Sequence, residues 1–224
     1  MLRQRMIDLH LRTRNITDER VLTGMLIVPR HLFVPPHLVE QAYDDNPLSI
    51  GHGQTISQPY IVAAMAQAAL LKENDKVFEV GTGCGYSAAV LSTLAKSVVT
   101  SEIINELGNS AKDRLKSLNY NNVTVLVEDG SCGFKQYAPF DAIIVTAGAP
   151  CVPSELLFQL SMGGRMIIPV RERNDATPSQ HISQCREVLL RLTRINEENS
   201  AESFREEILE EVRFVPLRGK RGWS

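Results

Sequence analysis

The feature that most constrains this chain is the turn Glu79-Val80-Gly81-Thr82-Gly83-Cys84-Gly85, set between a short apolar run and a stretch of helical composition. A strand that ends at Val80 and passes directly into a helix must turn within a few residues. Glycines supply the positive φ and the close backbone approach that such a turn needs. The turn is suited to a ligand laid against the main chain. Glycine-rich strand-to-helix turns also occur as plain connections, and the motif alone leaves that alternative open.

The sequence around the turn indicates the sheet that carries it. Apolar runs at 77–80, 98–101, 123–127, 142–145 and 166–170 show little polar alternation, as parallel strands buried on both faces do. The stretches 86–95, 105–118 and 154–160 read as crossover helices. The predicted fold class is α/β, a doubly wound, Rossmann-like, mostly parallel sheet. Residues 188–192 and 208–215 read as two more strands, joined by the polar Asn196-Glu197-Glu198-Asn199-Ser200 into an antiparallel C-terminal edge hairpin. A helix is the alternative over 202–211, and 174–180 reads as a polar loop.

Ahead of the sheet, Leu2, Met6 and Leu9, then Val21, Leu22, Met25 and Leu26, recur at helical spacing. They predict an N-terminal extension of two short helices, the second capped near Thr17-Asp18. Pro29, Pro35-Pro36 and Pro47 punctuate an irregular stretch that reaches Gln58, a length usually kept for function. Ser57-Gln58-Pro59 then reads as a helix start, with 61–71 as its apolar face.

Bulk properties narrow the class further. A chain of 224 residues is enough for one substantial core but cramped for two. A net charge of -2 provides no global positive field for nucleic acid or an anionic membrane. No apolar stretch approaches the roughly 20 residues of a membrane span. Arg3, Arg5, Arg12 and Arg14 leave no room for the apolar core of a secretory leader. Cys84, Cys132, Cys151 and Cys185 form no CxxC pair, so reduced thiols, no metal site and a cytoplasmic location are expected.

Spacing within the turn discriminates among ligands. A dinucleotide fingerprint reads GxGxxG and a phosphate loop ends in Gly-Lys-Ser/Thr; this chain has neither. Gly81, Gly83 and Gly85 make GxGxG, with Thr82 between them and Glu79 ahead, which suits an amino-acid ammonium or a sulfonium rather than a pyrophosphate. Glu102 closes the next strand, where a carboxylate can accept from both hydroxyls of a ribose. Asp129-Gly130 follows the third strand, where the acid can accept from an adenine amino group. Each acid alone is ordinarily a solvated strand end, but three at neighbouring carboxyl ends converge on one crevice.

The pattern resembles class I S-adenosylmethionine-dependent methyltransferases. Further segments are similar to the protein-L-isoaspartate O-methyltransferase family: Pro29-Arg30-His31-Leu32-Phe33-Val34-Pro35, Ile50-Gly51-His52-Gly53-Gln54-Thr55-Ile56-Ser57-Gln58-Pro59, Pro139-Phe140-Asp141-Ala142-Ile143-Ile144-Val145-Thr146, Gln159-Leu160 with Gly163-Gly164-Arg165, and Arg213-Phe214-Val215-Pro216-Leu217. They occur in the family's order over nearly the whole chain.

The resemblance implies transfer of a methyl group from S-adenosyl-L-methionine, leaving S-adenosyl-L-homocysteine, to the free α-carboxylate of L-isoaspartyl residues in damaged proteins and peptides. The ester then closes to a succinimide, which begins repair. It also implies Ser57 as the active-site residue, with a hydroxyl that orients the acceptor; the alternative role of Ser57 is to cap the following helix. By the same resemblance the cofactor is held by Ile56, Ser57, Glu79, Gly81, Thr82, Gly83, Gly85, Glu102, Ile103, Asp129 and Gly130. The substrate meets Gln54, Thr55, Ser57 and Val215. A carboxylate with a reference pKa of about 4 is already ionised at neutral pH, so no strong general base is needed. One methyltransferase domain is expected over 1–224, with N-terminal helices and substrate loop at 1–58, cofactor core at 59–170 and C-terminal strands at 171–224. Partners are damaged proteins, without nucleic acid or membrane, and a monomer is expected.

Several positions depart from the family pattern or carry two meanings. Cys84 stands where the family has serine, and a thiol at a helix start predicts a lowered pKa and sensitivity to oxidation. Glu128 replaces glycine before Asp129-Gly130. His52 reads as a surface loop residue rather than an acid or base, Arg218 and Arg221 as an exposed basic tail rather than a substrate-steering patch, and Tyr43-Asp44-Asp45 as either a groove border or solvated turn residues. The polar stretch 171–212 is longer than the family's usual link, which leaves methylation of another peptide carboxylate as an alternative. A binding-only module accounts for the fold but not for residues 50–59.

Overall fold

The computed structural model describes residues 2–172, 186–198 and 200–223. The polar loop expected at 174–180, and Cys185, lie outside the described residues. Among the described residues, seven strands form one sheet, in the order β5-β4-β3-β6-β7-β8-β9. The strands β3 (Lys76–Val80), β4 (Ser97–Ser101), β5 (Val123–Leu126), β6 (Phe140–Val145) and β7 (Leu160–Arg171) run parallel. Strands β8 (Glu187–Arg194) and β9 (Phe204–Val212) add on antiparallel. The crossovers are α4 (Tyr86–Ser92), α5 (Asn105–Ser117) and α6 (Ser154–Leu157). From β3 the chain moves outward through β4 and β5 and then returns to the other side of β3 at β6. The sheet therefore switches direction between β3 and β6, where a doubly wound sheet opens a crevice at its carboxyl edge.

Alternate strand residues build the two halves of the core. Val77, Val98, Ala142, Ile144 and Ile167 face the N-terminal helices and α4, while Phe78, Val99, Ile143, Val145 and Met166 face Phe134, Leu156 and Leu217. Both faces are covered, which is why the strand sequences lack polar alternation.

The N-terminal extension forms as two helical units. Helix α1 (Leu2–Met6) runs on through a π turn and a 3-10 turn to Asn15, which stops it in the left-handed region at φ 64°. Asp18 then caps α2 (Glu19–Ile27), accepting from Arg20 N at 2.9 Å. The stretch read as irregular holds two 3-10 turns and a small hairpin, β1 (Leu48–Gly51) and β2 (Gln54–Ile56). Its tip, Gly51-His52-Gly53, has positive φ at all three residues. Strands of four and three residues are too short to show a period of two in sequence.

At the C-terminal edge, the helical alternative for 202–211 gives way to β9, whose Glu207 forms a two-pronged bond with Arg191 of β8. The expected strand at 208–215 ends early, at Val212. Phe214 N donates to Glu187 Oε2 and Gly148 N donates to Val215 O, so the chain leaves the edge and crosses the carboxyl ends of the strands. Within the sheet, Arg165 explains part of the Gly163-Gly164-Arg165 motif. It is buried, pairs with Asp75 at 2.9 Å and donates to the carbonyls of Ala69 and Leu70 beyond α3 (Pro59–Ala68).

Candidate functional site

The turn after β3 opens into a cleft whose empty space, counting the open solvent at its mouth, is about 890 Å³. Gly81 has φ 99°, and a Cβ there would lie 2.3 Å from Thr146 Oγ1. That hydroxyl donates to Gly81 O at 2.7 Å, so the residue that follows β6 pins the turn from below. Gly83 has φ 54° and presents its N–H to Glu102 Oε2 at 2.8 Å. Glu102 Oε1 accepts from Ile104 N at 3.0 Å, so one buried carboxylate ties the glycine turn to the segment that starts α5. Gly130 is required for a different reason: a Cβ there would lie 1.8 Å from Ser101 Oγ.

Most of the expected ligands converge. Gln54, Thr55, Ile56, Ser57, Gly81, Thr82, Gly83, Glu102, Ile103, Asp129, Gly130 and Val215 all line this cleft. Gly85 and Glu79 are not among its lining residues. Gly85 starts α4 at φ 91°, with the space of its missing side chain filled by Leu115, so its role is packing. Glu79 lies wholly buried beneath the turn, where Thr100 Oγ1 donates to its Oε2 at 2.6 Å and Thr82 Oγ1 bonds Thr100 in turn at 2.7 Å. Burial pushes its carboxyl up to about 7, against the hydroxyls of Ser87 and Thr100, which favour ionisation. Its other oxygen is buried without a hydrogen-bond partner.

Asp129 is engaged by an element that its sequence neighbourhood does not announce. Oδ1 accepts from Ser131 N and Oδ2 from Lys220 N, both at 2.8 Å. Partial burial opposes its ionisation, but those two N–H groups outweigh it and hold the carboxyl below the usual aspartate value. The residues read as an exposed basic tail do keep Arg218, Lys220 and Arg221 exposed, but the segment is folded back over the site. Leu217 is buried, Trp223 Nε1 donates to Gly148 O at 2.7 Å, Arg221 pairs with Glu155, and Arg218 lines the cleft.

Three other expectations are corrected or resolved. Cys84 lines the cleft but is buried, and burial raises its thiol pKa rather than lowering it, so the activated thiol is not supported. His52 is exposed at the hairpin tip, away from the cleft. Neither Tyr43 nor Asp45 borders the groove: Tyr43 bonds His31 Nδ1 at 2.6 Å, and Asp45 accepts from Tyr60 N at 3.0 Å. That last contact also settles the helix start. The N-cap of α3 is Gln58, whose side chain makes no capping bond to the helix, and Ser57 does not cap the helix. Sequence reasoning missed Thr146 and, beyond the expected Val215, the return of Pro216, Leu217 and Arg218 to the cleft. Thr146 closes the Pro139 to Thr146 motif and was legible only as part of that resemblance.

Comparison with known proteins bears on this geometry. The family model for protein-L-isoaspartate(D-aspartate) O-methyltransferase matches residues 1–222. The chain belongs to this family. A protein-L-isoaspartate O-methyltransferase of Geotalea uraniireducens is 50% identical over 221 residues, covering 99% of this chain and 94% of the relative. Another, from Protochlamydia amoebophila, is 49% identical over 219 residues, 98% of each chain. A Plasmodium falciparum structure described as this methyltransferase in complex with S-adenosyl-L-homocysteine has a TM-score of 0.77 at 25% identity, covering 96% of this chain and 98% of that one. As a member of the family, the chain is an S-adenosylmethionine-dependent methyltransferase of L-isoaspartyl residues.

The cleft fits that donor. Gly81, Thr82 and Gly83 of the turn line it without bulky side chains, Glu102 offers carboxylate lone pairs at the strand end where ribose hydroxyls are expected, and Ile103 lines it with an exposed apolar side chain. No helix among the described residues is long and apolar enough to cross a membrane.

Proposed function

We propose that the cleft holds S-adenosylmethionine along the glycine turn and presents it to an isoaspartyl carboxylate entering beside Ser57. The supporting observation is that Gln54, Thr55, Ile56, Ser57 and Val215, drawn from the β2 hairpin strand and the returning C-terminal segment, line the same cleft as the cofactor turn. The cofactor supplies a methyl group activated on a sulfonium. The protein's task is alignment and exclusion of water, since the acceptor is an anion at neutral pH. Ile56, Ser57, Gly81, Thr82, Gly83, Glu102, Ile103, Asp129 and Gly130 contact the cofactor, while Glu79 and Gly85 shape the turn from behind. Gln54, Thr55, Ser57 and Val215 contact the acceptor. Ser57 orients the carboxylate through its hydroxyl and forms no covalent bond.

In this reading the chain is a single domain that acts as a cytoplasmic monomer on damaged proteins, without nucleic acid. Its net charge of -2 supports the last point. Methyl transfer from labelled S-adenosylmethionine to matched peptides is the direct test. The isoaspartyl peptide should be labelled and the aspartyl peptide should not, and equal labelling would overturn the acceptor assignment.

A further inference from the structure

Ser57 sits in the one-residue link between β2, which ends at Ile56, and Gln58, the N-cap of α3. The link is held on its leading side by Ile56, which is buried and paired with Leu48 across the hairpin. On its trailing side, α3 must satisfy its first free N–H groups. Pro59 has none, so the first is that of Tyr60. Its acceptor is Asp45 Oδ1 at 3.0 Å, fifteen residues upstream and outside the helix. The other oxygen pairs with Arg14 at 3.0 Å and accepts from Gln58 Nε2 at 3.5 Å. The Arg14 guanidinium lies 3.3 Å above the Tyr60 ring, whose hydroxyl reaches Glu210 on β9 at 3.1 Å. One carboxylate therefore joins the N-terminal unit, the start of α3 and, through Tyr60, the sheet edge.

Without Asp45, the capping-type side chain adjacent in sequence to the helix start is Ser57, one residue ahead of the N-cap Gln58. A serine hydroxyl drawn back onto the helix is drawn away from the cleft. We propose that Asp45 is a positioning residue for Ser57, capping α3 from a distance so that the Ser57 hydroxyl is left free to meet the acceptor carboxylate. The inference rests on the reading of Ser57 given above, and it assigns Asp45 no contact with substrate or cofactor.

The test compares steady-state methylation of an isoaspartyl peptide by the wild type, Asp45→Ala, Asp45→Asn and Asp45→Ala/Gln58→Asp, each with Ser57 intact and as Ser57→Ala. Circular dichroism and calorimetric cofactor binding accompany each variant. Asp45→Ala should lower kcat about tenfold, as a displaced orienting group does, while the KM for S-adenosylmethionine holds. Asp45→Asn keeps an acceptor oxygen and should stay within about twofold of wild type. Gln58→Asp restores a cap from within the helix and should recover most of the loss. In the Ser57→Ala background, removing Asp45 should change kcat little, because the two act through one hydroxyl. Equal losses in both backgrounds, no loss in Asp45→Ala, or no recovery with Gln58→Asp would each overturn the role of Asp45 while leaving Ser57 in place. An unaffected kcat in Ser57→Ala alone would overturn the reading of Ser57, and this inference with it. If Asp45→Ala does not fold, Asp45→Ser, whose shorter reach weakens the same bond, takes its place under the same criteria.

Discussion

Beneath the glycine turn, the buried Glu79 couples stability to pH. Its carboxyl rises from an ordinary 4.5 to about 7, chiefly because burial disfavours the anion. A raised acid stabilises the fold below its unfolded pKa, and that contribution is lost as pH climbs toward the folded value. Unfolding free energy should fall by about 3 kcal/mol between about pH 4.5 and 7, at 1.36 kcal/mol per unit. Glu79→Gln, uncharged throughout, should remove that slope in urea titrations at about pH 5 and about pH 8. Parallel slopes in the two proteins would show that Glu79 ionises freely. Glu102 is the counterpart that faces the cleft. Glu102→Ala should weaken cofactor binding about tenfold to a hundredfold, as loss of charged hydrogen bonds does; isothermal calorimetry showing unchanged affinity would remove its ribose role. Both acids were legible in sequence at strand ends. Which of them is exposed to ligand was not, because Glu79 and Glu102 differ in the direction their side chains take from adjacent strands.

At the level of elements, the returning C-terminal segment tests how the cofactor side is closed. Gly219 has φ 109°, and a Cβ there would lie 2.3 Å from Asp129 Oδ1. Gly219→Ala should cost stability on the order of 1–2 kcal/mol through its backbone alone and should also weaken cofactor binding by shifting Asp129. Gly163→Ala is the control, since φ is 72° there with nothing within 4 Å of the added carbon. If both variants bind cofactor alike, the segment does not set the position of Asp129. The five parallel strands and the crossovers α4 and α5 were readable because each is a long enough apolar or periodic run; the helix expected over 154–160 is helical only over Ser154–Leu157, because β7 already begins at Leu160. The β1–β2 hairpin and the early end of β9 were not. The first is too short to carry a period, and the second ends where Glu187 and Gly148, distant in sequence, take up its backbone groups.

Across the whole molecule, two apolar clusters share one sheet, each strand contributing alternate residues to both. Such halves cannot unfold separately without exposing the other. Calorimetry should give one cooperative transition, raised by S-adenosylmethionine in proportion to its binding. Two resolved transitions would contradict a single domain. The class of fold, the glycine turn and the identity of the donor follow from local sequence, since positive φ, apolar run length and acids at strand ends are properties of a few consecutive residues. The site's finer division of labour required distant contacts. Lys220 closes on Asp129 from 91 positions away, and Tyr60 takes its cap from Asp45 rather than from Ser57. A hydrogen bond between remote segments leaves no periodicity in either one, so only the packed chain could decide which polar groups are consumed by the fold and which remain for chemistry.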